Sequence, residues 1–157
     1  MRVISTSGVS TRIASVGGVG QLVTLATPAA GEPNPLRLDP DLSYAVCRLD
    51  LAKGPGVVSG VLPQAYWSVA VYNRNGTVIY STTNRDGIGQ SLDLGVFNAT
   101  QTRLLAEQQI DVEQGLLIVE SPNDDVFVVV RLAASEPVMR DRYRAQLSKL
   151  ACGNIRL

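Results

Sequence analysis

Residues 66–84 read Tyr66-Trp-Ser-Val-Ala-Val-Tyr-Asn-Arg-Asn-Gly-Thr-Val-Ile-Tyr-Ser-Thr-Thr-Asn84. Two runs rich in β-branched and aromatic residues flank Asn75-Gly76, and this dipeptide between such runs is a strong signal for a β-hairpin. The segment holds the only Trp of the chain and three of its five Tyr. The sequence therefore predicts a mostly β domain built around this hairpin.

Two registers of the hairpin are open, and they place the aromatic side chains differently. A two-residue turn at Asn75-Gly76 would put Val71 and Tyr80 on one face. A type I turn over residues 73–76, followed by a bulge, shifts the pairing by one residue and brings Tyr80 beside Tyr72. We favour the second register, because Asn suits the first position of such a turn and Gly suits the fourth.

The favoured register brings Tyr66, Tyr72 and Tyr80 to one face of the hairpin. Such a face could stack on a sugar or another apolar ligand, because each ring has a flat apolar body and a polar tip. The alternative, which is the more usual role of such rings, is packing within the sandwich. In the loop that follows, Arg85 could anchor an anion and Asp86 could accept a proton, although such a pair at a strand end is more often a salt bridge or a turn cap. These five residues form the predicted ligand site.

Composition excludes many kinds of chemistry. The chain has 157 residues, enough for one domain with a real core, and its net charge is zero. A basic excess occurs only in the last 18 residues, where a solvated helix face accounts for it, so we expect no nucleic-acid partner. The absence of His and the presence of only two Cys exclude His-based triads, His-ligated zinc and iron–sulfur clusters within one chain. We therefore expect no metal and no cofactor.

Any catalysis must therefore come from carboxylates, Lys, Tyr, Ser or Thr, or from a borrowed cofactor. Asp50, Asp93 and Glu120 lie near the ends of predicted strands, and a pair of them could work as a glycosidase acid and base. Asn123-Asp124-Asp125 offers oxygen ligands for calcium but lacks the twelve-residue loop pattern, which favours a plain turn. No other catalytic motif is present.

The rest of the chain also predicts short strands, two helices and an antiparallel sandwich or barrel. Residues 126–130 are apolar on both faces, which indicates a central, covered strand. Ser121-Pro-Asn-Asp124 is predicted to join the last two strands as a second hairpin. Asn98 is predicted to cap a helix over residues 99–109. The predicted strands are residues 21–25, 44–51, 57–62, 90–97, 115–120 and 125–132.

The C-terminal sequence predicts a second helix over residues 136–151, capped by Ser135 and longer than the helix at residues 99–109. One apolar stripe along it would pack on the sheet, formed by Met139, Tyr143, Leu147 and Leu150.

The two cysteines, Cys47 and Cys152, lie 105 positions apart, and the residues alone leave two interpretations equally open. They could be buried free thiols, as in cytosolic proteins, or a structural disulfide, which would place the domain in an oxidising compartment. No apolar run of 18 residues occurs, and the first residues lack the apolar core of a signal peptide. The protein is therefore either cytosolic or has lost a targeting segment upstream.

Three blocks of sequence carry a resemblance to one family. They are Asp39-Pro-Asp-Leu-Ser-Tyr-Ala-Val-Cys-Arg-Leu-Asp-Leu-Ala-Lys-Gly-Pro55, Leu62-Pro-Gln-Ala-Tyr-Trp-Ser-Val-Ala-Val-Tyr-Asn-Arg-Asn-Gly76, and Tyr80 through Asp86. In these blocks the chain is similar to small bacterial proteins labelled uncharacterised membrane proteins, of the domain of unknown function 1254 and its relative 1214, over about residues 20–153. Asn73 stands where the family more often has Asp, and Asn84-Arg85-Asp86 stands where Asn-Asp-Arg is commoner.

This resemblance implies a jelly-roll-like β-sandwich with a disulfide between Cys47 and Cys152. It also implies an N-terminal membrane helix that holds the domain on the periplasmic side of the bacterial inner membrane. We expect residues 1–20 to form an arm that follows an anchor absent from this chain, and residues 21–153 to form the single domain.

The resemblance brings no established activity, so three functions stay open. The favoured prediction is a non-catalytic module that binds an envelope ligand or protein. The alternatives are a carboxylate-dependent enzyme acting on envelope glycan and a structural domain that forms a homo-oligomer.

Overall fold

A computed structural model describes residues 20–25, 42–84, 91–107, 117–133 and 136–155. Within these ranges the chain forms nine strands, two α-helices and two short 3-10 helices, at Leu51–Lys53 and Pro137–Met139. The helices are α1 (Ala99–Glu107) and α2 (Arg140–Leu147). The strands are β1 (Leu22–Leu25), β2 (Leu42–Asp50), β3 (Gly56–Val61), β4 (Trp67–Asn73), β5 (Val78–Thr83), β6 (Ser91–Asn98), β7 (Leu117–Ser121), β8 (Asp125–Ala133) and β9 (Ala151–Asn154).

The strands form two sheets, which confirms the prediction of a mostly β domain with two packed sheets. The larger sheet has the order β1-β2-β8-β4-β5 and the smaller one has the order β7-β6-β3-β9. One hydrophobic core contains side chains from both sheets, including Trp67 and Leu132 from the larger sheet and Val58 and Leu94 from the smaller one. The predicted strand positions agree with those observed.

Strand β8 is central and covered on both faces, as its sequence predicts. It lies between β2 and β4. Val128 belongs to the core between the sheets, whereas Phe127 and Val129 belong to a second buried cluster on the outer face of the larger sheet. Continuous apolar sequence is needed here because neither face meets water.

The predicted hairpin between β7 and β8 is wrong. Strand β7 pairs in parallel with β6 in the smaller sheet, while β8 belongs to the larger sheet. The connecting residues form a corner between the sheets, in which the Ser121 hydroxyl donates to the carbonyl of Asn123 at 2.7 Å and the backbone N–H of Leu51 donates to the carbonyl of Asp124 at 2.8 Å. A four-residue link with turn chemistry suits a corner as well as a hairpin. The parallel pair makes the smaller sheet mixed, so a jelly roll is not established.

Helix α1 begins as predicted. The Asn98 side chain accepts a hydrogen bond from the backbone N–H of Gln101 at 2.8 Å, and the Gln101 side chain accepts one from the backbone N–H of Asn98 at 2.9 Å. This reciprocal pair satisfies two N–H groups that the first helical turn would otherwise leave free. The Gln101 amide also donates to the carbonyl of Leu51, which ties the helix start to the end of β2.

The C-terminal helix is shorter than predicted, because a 3-10 helix precedes it, a turn follows Leu147, and β9 begins at Ala151, where the predicted helix ends. Strand β9 pairs with β3 and places Cys152 opposite Val58. The Asn154 amide donates to the carbonyls of Asp50 and Gly54 at 3.0 and 2.8 Å. These hydrogen bonds and the sheet pairing hold residues 151–154 in a strand that the sequence did not predict. Tyr143, Leu147 and Leu150 of the predicted stripe do pack against the core, whereas Ser135 lies outside the described residues.

A disulfide joins Cys47 of β2 to Cys152 of β9, with 6.3 Å between their Cα atoms. It links the two sheets and closes a loop of 105 residues. Structural disulfides persist in oxidising compartments, so the bond indicates an environment outside the cytoplasm. Of the two interpretations of the cysteines, the structural disulfide is confirmed.

Candidate ligand-binding site

The turn of the central hairpin spans residues 73–76, as predicted. The carbonyl of Asn73 accepts a hydrogen bond from the N–H of Gly76 at 3.0 Å. The Asn73 side chain accepts two more, from the backbone N–H groups of Asn75 and Thr77 at 2.9 and 3.0 Å. Gly76 has a φ of +82°, a conformation that glycine adopts without strain. Asn73 and Gly76 are therefore required by the backbone of the turn.

Beyond the turn, the predicted tyrosine face is wrong. Tyr72 lies opposite Val78, but the next pair is Val71 with Tyr80, so β5 contains one extra residue at Ile79. This bulge rotates Tyr80 onto the face of Val71, away from Tyr72. Both Ile79 and Tyr80 thereby pack against the core between the sheets. Burial of two large apolar side chains explains why the strand accepts the bulge.

Tyr72 has a structural role. Its side chain is 4% exposed, and its ring stacks on Phe127 with 5.1 Å between centroids. Its hydroxyl accepts a hydrogen bond from the Arg131 guanidinium at 2.9 Å, and the same guanidinium lies 5.9 Å from the ring centre of Tyr44. Packing and a fixed hydrogen bond occupy the whole side chain, so Tyr72 is not accessible to a ligand.

Tyr66 is the most exposed of the predicted site residues that the structure describes. It lies directly before β4, is 54% exposed, and its carbonyl accepts a hydrogen bond from the N–H of Ala133 at 2.8 Å. Its neighbour Trp67 is buried, which fixes the backbone on which the tyrosine ring is carried. Tyr66 borders a cavity of about 450 Å³, the Tyr66 cavity, which is also lined by Gln64, Ala65, Ala133, Glu136, Met139 and Tyr143.

The Tyr66 cavity combines apolar and hydrogen-bonding groups. Tyr66, Tyr143 and Met139 offer apolar surface, and two aromatic rings can contact the flat face of a ligand. Glu136 and Gln64 supply a carboxylate and an amide for hydrogen bonds. The volume lies within the range of about 300–1,000 Å³ usual for small-molecule sites. The arrangement suits a neutral or cationic ligand that has hydroxyl or amino groups and one apolar face.

Sequence reasoning missed the helical side of this cavity. Met139 and Tyr143 follow one another at the spacing of a helical stripe, and this pattern predicted packing alone. Both residues are half-buried, and only the tertiary structure reveals this state. No pattern in the sequence could therefore have identified them as cavity-lining residues. Arg85 and Asp86 lie outside the described residues.

A second cavity, of about 340 Å³, lies at the opposite end of β4 and is lined mainly by charged side chains. Asp50 and Asp125 are direct neighbours across β2 and β8. The Arg48 guanidinium donates two hydrogen bonds to Asp125, at 3.2 and 3.0 Å, and these bonds raise the pKa of Arg48. The residues that line this carboxylate cavity are Arg48, Asp50, Arg74, Asn123, Asp124 and Asp125.

The predicted carboxylates are separated by the fold. Asp93 lies opposite Ser59 and Glu120 beside Phe97, both in the smaller sheet, so only Asp50 lines the carboxylate cavity. The described residues contain no group of three or more His, Cys, Asp or Glu that could hold a metal ion. The run at residues 123–125 forms the corner between the sheets.

A family model described as "Protein of unknown function (DUF1254)" matches residues 19–148. The chain belongs to the DUF1254 family. This result confirms the resemblance stated for the three sequence blocks, and the match includes both the central hairpin and helix α2.

Two solved structures share the fold of this DUF1254 chain. A protein from Vibrio parahaemolyticus matches with a TM-score of 0.64 and 11% identity, over 96% of this chain and 35% of that one. An uncharacterized protein from Burkholderia cenocepacia matches with a TM-score of 0.55 and 13% identity, over 96% of this chain and 40% of that one. At such identities the likeness shows the fold alone. This chain spans well under half the length of either structure, and a comparison with curated proteins found no match.

Within the described ranges, no helix of this DUF1254 chain is both long enough and apolar enough to cross a bilayer.

Proposed function

We propose that this DUF1254 domain is a non-catalytic ligand-binding module on the periplasmic side of a bacterial inner membrane, held there by a segment upstream of the sandwich. The disulfide between Cys47 and Cys152 supports an oxidising compartment. The crossings of the chain between the two sheets are compatible with a jelly roll, which we propose as the finer assignment of the fold.

The Tyr66 cavity carries this proposal. Its aromatic groups stand on a rigid scaffold, because Trp67 is buried and Tyr143 packs against the core. A ligand would therefore meet a preformed surface, which lowers the entropic cost of binding. The proposed ligand is a glycan, since a sugar ring has an apolar face for the tyrosines and hydroxyl groups for Glu136 and Gln64.

Tyr66→Ala tests the site in a binding screen of soluble oligosaccharides. Loss of one stacking ring should weaken the strongest interaction by about tenfold, because an aromatic contact contributes about 1 kcal/mol besides its buried area. Tyr72→Phe is the matched control, since it changes a tyrosine of the same hairpin that lies outside the cavity, and it should bind as the wild type does. Equal affinity of Tyr66→Ala and wild type would remove this cavity from the proposal.

A carboxylate-dependent glycan hydrolase is the second candidate. The observation in its favour is that Asp50 and Asp125 face one another across adjacent strands in an open cavity. Against it, both oxygens of Asp125 accept hydrogen bonds from Arg48, and Asp50 caps the following turn through the N–H of Ala52 at 3.0 Å. Both carboxylates are therefore engaged in hydrogen bonds within the protein, whereas a catalytic acid and base must contact the glycosidic oxygen and a water molecule.

An assay for new reducing ends on envelope glycan separates the two functions. For an enzyme, Asp50→Asn should lower the rate by at least about 100-fold, in line with the contribution of a general acid or base. Asp93→Asn should leave the rate unchanged, because Asp93 lies in the other sheet. Absence of any hydrolysis by the wild type rejects the enzyme.

A further inference from the structure

A third concavity, of about 540 Å³, lies along the outer side of helix α2. We call it the cationic groove. Arg142, Ala145, Gln146 and Lys149 line it together with Val61 at the end of β3. The first four residues are spaced at i, i+3, i+4 and i+7, so they share one face of the helical segment.

This face differs from the face that packs against the sandwich. Tyr143 and Leu147 contact the core, and Tyr143 also lines the Tyr66 cavity. Helix α2 therefore separates two concave surfaces, and the cationic groove contains no residue assigned to ligand binding above.

Charge distinguishes the groove from the rest of the helix. In the part of the chain that the structure describes, neither Arg142 nor Lys149 forms an ion pair, whereas Arg144 pairs with Asp141 at 3.7 Å. None of the described residues that line the groove is acidic. Two exposed cations beside an open concavity, with no compensating carboxylate, favour an anionic partner.

Exposed apolar side chains accompany these charges. Val138 lies in the 3-10 helix that precedes α2, four residues before Arg142, and is 79% exposed; Val61, which lines the groove, is 59% exposed. These are the two most exposed large hydrophobic residues in the described ranges. Apolar tips beside lysine and arginine are typical of surfaces that rest on anionic bilayers, where the cations meet phosphate groups and the apolar tips enter the headgroup region.

We propose that the cationic groove docks on the phosphate headgroups of an anionic phospholipid bilayer. Arg142 and Lys149 bind the phosphates, while Val61 and Val138 contact the boundary between headgroups and acyl chains. Because the Tyr66 cavity lies on another side of the same helix, this docking would hold that cavity close to the membrane surface. The proposal concerns a surface separate from the glycan site and stands without it.

Co-sedimentation of the purified chain with lipid vesicles tests the proposal. The wild type should bind vesicles that contain phosphatidylglycerol and not vesicles of phosphatidylcholine alone, and binding should weaken as salt is raised from about 0.05 M to about 0.5 M. Arg142→Gln/Lys149→Gln should weaken binding by about 30-fold, because each cation near an anionic surface contributes about fivefold.

Lys53→Gln/Arg103→Gln is the matched control, since it removes the same charge from exposed positions at the other end of the sandwich. Lys53 lies just before β3 and Val61 ends that strand, roughly 17 Å away along the strand. This control should keep most of the wild-type binding. An equal loss of vesicle binding in both double variants would show that net charge alone drives the interaction. It would overturn the proposal that the cationic groove is the docking surface.

A second arm tests the apolar contact. Val61→Ser/Val138→Ser keeps all charges and should weaken vesicle binding severalfold, whereas Val78→Ser, at an exposed valine of β5, should not. Thermal unfolding confirms that the variants stay folded. Binding of inorganic phosphate or glycerol phosphate at the groove, without binding to anionic vesicles, would identify a soluble anion as the ligand and overturn the membrane proposal.

Discussion

Reduction of the disulfide between Cys47 and Cys152 should strongly destabilise the domain. The bond closes a loop of 105 residues, and in the chain-entropy model such a loop contributes about 4.7 kcal/mol by restricting the unfolded chain. Domains of this size are stable by about 5–15 kcal/mol, so the bond accounts for a large share of the free energy of unfolding. A loss of about 4.7 kcal/mol corresponds to a fall of about 10–20 °C in the midpoint of thermal unfolding.

Urea unfolding with and without a thiol-free reductant measures this contribution. The reduced chain should unfold at lower urea and with a larger m value, because an unfolded chain without the cross-link exposes more surface. Cys47→Ala/Cys152→Ala controls for other effects of the reductant, since its transition should not respond to it. Intact-mass analysis must show that the wild type gains about two daltons on reduction, the two hydrogens of the thiols. A change in stability below about 1 kcal/mol would refute the reasoning.

Two further substitutions test the packing of the smaller sheet and of the larger sheet. Gly60→Ala should lower the free energy of unfolding in urea by about 2 kcal/mol, because Gly60 has a φ of +152° and an added Cβ would lie 2.6 Å from Leu150 Cδ2. Its control is Gly153→Ala, which should cost much less because open space surrounds that position. Tyr72→Phe should cost about 1 kcal/mol, because it removes the acceptor for the half-buried Arg131 guanidinium while it keeps the stacked ring. A loss as large for Gly153→Ala as for Gly60→Ala, or no measurable loss for Tyr72→Phe, would contradict the packing described.

The sequence predicted those features that depend on neighbouring residues. Residues 126–130 are apolar on both faces of their strand, and Asn73 and Gly76 specify a turn. Both patterns are local, and both predictions were confirmed. Asn98 was recognised as a helix cap for the same reason. The backbone conformation of a turn or cap depends on residue types a few positions apart, so it can be read without knowledge of the fold.

The errors concern choices that distant parts of the chain decide. Ser121-Pro-Asn-Asp124 bends the chain both in a hairpin and in a corner between sheets. Whether β7 pairs with β8 or with β6 depends on which sheet has a free edge. The bulge at Ile79 depends on the space that the core offers to Tyr80. Residues 151–154 lie at and just past the end of the predicted helix, and they form a strand because β3 offers backbone partners. Tertiary contacts outweigh local preference at all three positions.

The candidate site was predicted less completely than the fold, for a related reason. Tyr66 was selected as part of a tyrosine face, and it lines a cavity only because helix α2 returns beside the start of β4. The other wall, formed by Met139 and Tyr143, lies about 70 positions along the chain. A site built from two distant segments leaves no spacing in the sequence by which it could be recognised.

The disulfide links the stability of the sandwich to both proposed binding surfaces. Cys152 follows the end of α2 by five residues, and its bond to Cys47 attaches β9 to the larger sheet. Strand β9 is short and pairs with β3 through four residues, so the disulfide is a main constraint on the position of the segment that follows the helix. One side of α2 borders the Tyr66 cavity and another borders the cationic groove. Oxidation therefore holds both surfaces in place, and a chain kept reduced should bind both glycan and anionic vesicles less tightly than the oxidised chain does.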